Sequence, residues 1–228
     1  DNLAIIGVAK ALESTGNHLI TSKIEHHAVM HAMEEMESYG FDVTYLKIDK
    51  NGFVDLEQLE KSITTETTLI SIMYANNETG SIQNIKEISN IIKNKSNELK
   101  RDIYFHTDAV QAPGKLSLDV QELGVDLMTI SGHKFHGPKG TGLLYAKKGV
   151  PMSPIIIGGG QERQRRSGTE NVPGIVGLAK ALEFADASKH IFNEHCNKLN
   201  KLLREKLSQL NYEHLIVTPK THALSNIL

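Results

Sequence analysis

The chain has 228 residues, 39% of them hydrophobic and 23% charged, which is enough apolar material for one large domain or a domain plus part of another. A formal net charge of −2 offers no basic surface for nucleic acid or an anionic membrane, and the basic run from Arg163 to Arg166 is short and local. One cysteine, Cys196, excludes an internal disulfide framework and most structural zinc sites. No apolar stretch is long enough to span a bilayer, so the expected setting is reducing and cytoplasmic.

Short β-rich runs alternate with segments of helical period. Taken in chain order, His18 to Thr21 reads as a strand, Ala28 to Tyr39 as a helix and Val43 to Leu46 as a strand. Asn51-Gly52 is a turn, and Asp55 caps a helix over Leu56 to Ser62. A strand over Thr68 to Tyr74 follows, then a helix over Ile85 to Lys95 and a strand over Ile103 to Phe105. The pattern continues with a helix over Val120 to Leu123 and strands over Leu127 to Ile130 and Gly142 to Ala146. This alternation predicts an α/β fold around a mainly parallel sheet. After Gly174 the spacing predicts two helices, Ile175 to Ala187 and Ile191 to Leu210, then a strand-like piece at Leu215 to Thr218. A division near Lys189 is therefore expected, with a large α/β domain over residues 1–189 and the opening of a small α/β domain over residues 190–228. Asp1-Asn2-Leu3 opens abruptly and Ser225-Asn226-Ile227-Leu228 stops on an apolar run; neither reads as a natural terminus.

Ligands of open α/β sheets sit outside the carboxyl ends of the strands. Polar groups collect there: His26 and His27 after the first strand, Asn76-Asn77-Glu78 after the third, Asp108 and Gln111 after the fourth, and Ser131-Gly132-His133-Lys134 after the fifth. Lys134 follows an apolar run and precedes Gly137-Pro138-Lys139-Gly140-Thr141-Gly142, so a buried strand end is expected to lower its pKa and make it a reactive amine. Read alone, Asp108 is equally a helix cap and His26 equally a structural histidine. His133 and His136 stand three apart without an acidic helical pattern or a cysteine cluster, so no metal site is expected. A nucleotide P-loop fails because Pro138 stands where its lysine belongs, and Gly158-Gly159-Gly160 lacks the spacing of a dinucleotide fingerprint. What remains is a cofactor needing an amine, an acid and a phosphate cradle. Pyridoxal phosphate needs this set: an amine for its aldehyde, a carboxylate for its ring nitrogen, and hydroxyl, imidazole and backbone N–H groups for its phosphate. Lys134, Asp108, and Ser131 with His133 fit those roles in turn.

Five segments in order then resemble one family, the class V, fold-type I pyridoxal-phosphate enzymes, and within it the NifS/IscS branch of cysteine desulfurases. Thr21-Ser22-Lys23-Ile24-Glu25-His26 resembles the segment whose histidine stacks on the cofactor ring. Ser71 to Gly80 resembles its Asn-Asn-Glu segment, in which Asn77 approaches the cofactor. Asp108-Ala109-Val110-Gln111 resembles its Asp-Ala-x-Gln, which implies Asp108 on the pyridine nitrogen and Gln111 on the phenolic oxygen. Ser131-Gly132-His133-Lys134 is similar to its Schiff-base signature. Gly158 to Asn171 resembles the segment whose threonine, here Thr169, reaches the phosphate across a homodimer interface.

The resemblance implies a desulfurase that takes L-cysteine to L-alanine and leaves sulfur as a persulfide on an enzyme cysteine. That sulfur then goes to an acceptor or scaffold protein for iron–sulfur cluster or thio-cofactor assembly. Lys134, His26 and Asp108 carry the catalytic roles. It also implies a phosphate loop ahead of Asp1, and a nucleophilic cysteine and a carboxylate-binding arginine after Leu228, so the chain is expected to be part of a longer enzyme. Cys196, in a helical run between His195 and Asn197, matches no cysteine loop of the family and is expected to be a buried or half-buried helix residue. The rival expectations are a class V aminotransferase, a selenocysteine lyase, or a non-catalytic dimerisation or docking domain.

Overall fold

The computed structural model describes residues 1–212 and 215–228. Six strands form one sheet: β1 (His18–Ser22), β2 (Asp42–Leu46), β3 (Thr67–Ser71), β4 (Tyr104–Asp108), β5 (Leu127–Ser131) and β6 (Gly142–Ala146). Their spatial order is β2-β1-β3-β4-β5-β6, parallel throughout except for β6, which runs antiparallel to β5. The sheet is thus the mainly parallel one that the sequence predicts, and every strand was anticipated within a few residues. β1 and β3 are buried along their whole length, as expected of central strands covered on both faces, whereas edge strands β2 and β6 are mostly half-exposed.

The period of two divides the core. Leu19, Leu69 and Leu127 face one side, where they meet Ala4, Ile5 and Val8 of α1 (Asn2–Leu12) and Val29, Met33 and Met36 of α2 (His27–Ser38). Their chain neighbours Ile20, Ile70 and Met128 face the other side with Phe105. There they pack on Leu59 of α3 (Leu56–Ser62), Ile88 and Ile92 of α4 (Ile85–Leu99) and Leu123 of α5 (Val120–Leu123). The result is a three-layer α/β/α arrangement. Asp55 caps α3 as expected, its Oδ1 accepting from the Gln58 N–H at 2.9 Å.

Two expectations are corrected. The helices Ile175 to Ala187 and Ile191 to Leu210 are one unbroken helix, α7 (Val172–Ser208), following a single turn, α6 (Gln161–Gln164). The Ala187-Ser188-Lys189-His190 stretch has weak apolar patterning but contains neither glycine nor proline, so nothing in its backbone stops a helix. The expected division at Lys189 therefore falls inside α7. The expected strand at Leu215 to Thr218 has no regular structure; β-branched Ile216, Val217 and Thr218 raise strand propensity, but among the described residues no strand pairs with them. The chain instead returns at residues 222–224 to the loop after β3, where the Ile82 N–H donates to the His222 carbonyl (2.8 Å) and the Leu224 N–H to the Gly80 carbonyl (2.8 Å). Helix α1 was not anticipated, although Ala4, Ile5, Val8 and Ala9 mark one buried stripe. Among the described residues no helix is long and apolar enough to cross a membrane.

Candidate active site at the carboxyl edge of the sheet

Strand order reverses between β1 and β3, since the chain steps outward from β1 to β2 and then back to β3. Such a switch point opens a crevice at the carboxyl ends. The loops after β1, β3, β4 and β5 meet along that edge.

His26 follows β1 and is the N-cap of α2, its Nδ1 accepting from the Ala28 N–H at 3.1 Å. That bond leaves Nε2 as the ring atom free to act elsewhere. The loop after β3 is organised by Asn76, not Asn77. Asn76 is buried; its Oδ1 accepts from the N–H groups of Glu78 (2.9 Å) and Thr79 (2.8 Å), and its Nδ2 donates to the Ile24 carbonyl (3.0 Å). Asn76 thereby ties the loop after β1 to the loop after β3, and exposed Asn77 is presented by the turn that Asn76 holds.

Asp108 closes β4 and is 5% exposed. Its Oδ1 accepts from the Val110 N–H at 2.9 Å, and its backbone carbonyl takes the Tyr74 N–H at 2.8 Å. Burial raises its pKa above the ordinary aspartate value. The Val110 bond and the positive charges of His26 and Lys134 oppose that rise without cancelling it. Asp108 is therefore a buried acid near two candidate cations, and among the described residues it forms no ion pair. Two positions earlier on β4, buried His106 bridges three strands, with Nδ1 to Ser71 Oγ (2.8 Å) and Nε2 to Thr129 Oγ1 (2.9 Å). Burial pushes its pKa well below the ordinary histidine value, so it is a neutral crosslink that fixes the strand carrying Asp108. Gln111 is half-buried in the turn after β4, and its backbone carbonyl accepts from Lys115 Nζ at 3.0 Å.

Lys134 corrects the expectation of a buried strand end. β5 stops at Ser131, and Gly132–Phe135 form a single 3-10 turn that exposes Lys134 on the crevice edge. The turn is held from beneath. A Cβ at Gly132 would lie 2.6 Å from Thr141 Oγ1 and 2.8 Å from Leu178 Cδ1 of α7, so glycine is what lets the lysine-bearing turn settle there. Left-handed His136 (φ 65°) ends it. Ser131 Oγ and His133 Nδ1 lie 2.9 Å apart on the same turn. Thr169 is exposed between α6 and α7. Cys196 is half-buried on α7, as expected.

The chain belongs to the Aminotransferase class-V family, which it matches over residues 1–228. It is 51% identical over 227 residues to cysteine desulfurase IscS of Methanosarcina thermophila, covering all of this chain and 55% of that protein. To cysteine desulfurase IscS of Clostridium botulinum it is 51% identical over 205 residues, covering 90% of this chain and 50% of that protein. Among solved structures, a NifS-like protein superposes with a TM-score of 0.92 at 44% identity, covering 98% of this chain and 60% of that one. SspA, solved in complex with cysteine, superposes with a TM-score of 0.73 at 44% identity, covering 80% and 51%. The chain thus spans about half the length of the curated relatives it matches. The family is generally pyridoxal-phosphate-dependent, and the six-stranded, mostly parallel sheet is that of its fold-type I large domain.

Proposed function

We propose that the protein carrying this chain is a pyridoxal-phosphate-dependent cysteine desulfurase, taking L-cysteine to L-alanine and handing sulfur through an enzyme cysteine to an acceptor or scaffold protein in the cytoplasm. The observation that carries the cofactor assignment is Asp108. A buried carboxyl, anchored by one backbone N–H and without an ion-pair partner among the described residues, suits a ligand that brings a cationic ring N–H to it. The amine of Lys134 and the imidazole of His26 stand close enough for their charge to act on that carboxyl, and Ser131 with His133 offers hydroxyl and imidazole for a phosphate.

When bound, the cofactor would withdraw electrons from the α-carbon of the amino acid. Asp108 would hold the ring nitrogen's proton. Lys134 Nζ would anchor the cofactor and then serve with His26 Nε2 as the groups that take and return protons at the substrate. Asn77 and Gln111 would contribute side-chain amides, and Thr169 would reach a phosphate in a homodimer. Support for that dimer comes from exposed apolar residues on either side of Thr169 in the chain: Ile157 is 84% exposed and Val176 62%. Cys196 matches no cysteine loop of the family, and the sulfur-accepting thiol is assigned elsewhere in the protein.

The test is alanine formation from L-cysteine by the protein carrying this chain, alongside a keto-acid acceptor. Cysteine-dependent alanine, with sulfide released by an added thiol reductant, both lost in Lys134→Ala, support the proposal. Amino transfer to the keto acid without sulfur release overturns it in favour of an aminotransferase.

A further inference from the structure

Directly behind His26 lies a buried acid to which the proposed function assigns no role. Glu25 has its whole side chain within the core edge, 7% exposed overall. Its Oε1 receives two donors, Ser22 Oγ at 2.5 Å and the Met73 N–H at 2.9 Å. Its Oε2 is buried and, among the described residues, receives none. An ionised carboxylate spreads its charge over both oxygens and draws donors to both. Two donors on one oxygen and none on the other leave a buried negative charge half-solvated, which disfavours the ionised form.

The two bonds also have a location that matters. Ser22 ends β1, and Met73 opens the loop after β3, so Glu25 joins the two sides of the switch point. The Asn76 bond to the Ile24 carbonyl is the second tie across the same gap. His26 is the next residue after Glu25, and Asn77 is borne on the loop that Met73 opens. The charged group whose field reaches Glu25 is Asp108; Ser22 and the Met73 N–H are its polar contacts.

We infer that Glu25 is a positioning residue, a neutral carboxylic acid that latches the loop bearing His26 to the loop bearing Asn77 beside the buried Asp108. This rests on the cofactor reading above. A second ionised carboxyl there would repel Asp108 and unseat the latch. Neutrality lets the two acids share one crevice.

The experiment uses the chain with and without pyridoxal phosphate. Infrared difference spectra of the cofactor-free chain against Glu25→Gln at pH 6.5 should show one protonated-carboxyl carbonyl band that the variant lacks. Glutamine keeps the carbonyl acceptor and neutrality, so Glu25→Gln should bind the cofactor within about threefold of wild type. Glu25→Leu and the shorter Glu25→Asp lose the latch and should bind about tenfold more weakly, the scale of one or two hydrogen bonds. A missing band, or Glu25→Gln binding as weakly as Glu25→Leu, overturns the inference. If wild type and Glu25→Leu bind equally well, Glu25 alone loses its role. If wild type shows the band yet takes no cofactor, the functional reading fails, and the positioning role falls with it.

Discussion

The state of Glu25 has a consequence for stability that can be worked from the structure. Its carboxyl titrates ordinarily at 4.5 and burial pushes it up to about 8, against the opposing hydrogen bonds from Ser22 and Met73. Between those two values the folded chain holds a proton that the unfolded chain has released. Stability attributable to this group is therefore whole below pH 4.5 and declines as pH rises through the window to about 8. At ~1.36 kcal/mol for each pH unit, the full decline is ~5 kcal/mol. Glu25→Gln removes the titration and leaves a constant offset from its amide group. Urea unfolding of wild type and variant at matched pH values between 4.5 and 8.5 reads the difference directly. The variant should gain on wild type by several kcal/mol across that range. Parallel stability profiles would refute the reasoning, because they would mean that Glu25 is ionised in the folded chain or lies in contact with water.

Other outcomes follow from the same geometry. Asp108→Asn keeps the Val110 bond but loses the charge that holds a ring proton; turnover in the protein carrying this chain should fall by roughly 100-fold or more while its melting temperature changes little. Gly132→Ala drives a methyl against Thr141 and Leu178 and should cost about 1–3 kcal/mol by thermal unfolding, with weaker cofactor retention because the Lys134 turn shifts. Phe105→Ala empties the centre of the core between β4 and the helices and should cost about 3–5 kcal/mol in denaturant unfolding.

The sequence revealed more of the scaffold than of the site. Strands β1, β3, β4 and β5 are buried enough to read as apolar runs, and the polar groups after each are in the sequence order that the sheet converts into one edge. Which asparagine is structural was not legible: Asn76 and Asn77 are chemically identical, and only the turn decides that Asn76 is buried and Asn77 presented. The continuity of α7 was missed because Asp186 and Ser188-Lys189-His190 interrupt its apolar pattern on a helix that buries little: only Gly174 and Leu178 are fully covered. His106 and Glu25 were missed for a different reason. Their importance lies in hydrogen bonds to residues 35 and 48 positions away, which no local pattern encodes. The exposure of Lys134 depends on a 3-10 turn set by the packing of Gly132 against α7, again a tertiary effect.

The central claim is that this edge of the sheet holds pyridoxal phosphate through Lys134. The most direct measurement is to add the cofactor to the purified chain, reduce with borohydride and map the modified peptide by mass spectrometry. The account predicts one pyridoxyl group, on Lys134, and none at that peptide in Lys134→Ala. Scattered labelling of exposed lysines, or no labelling at all, would contradict it.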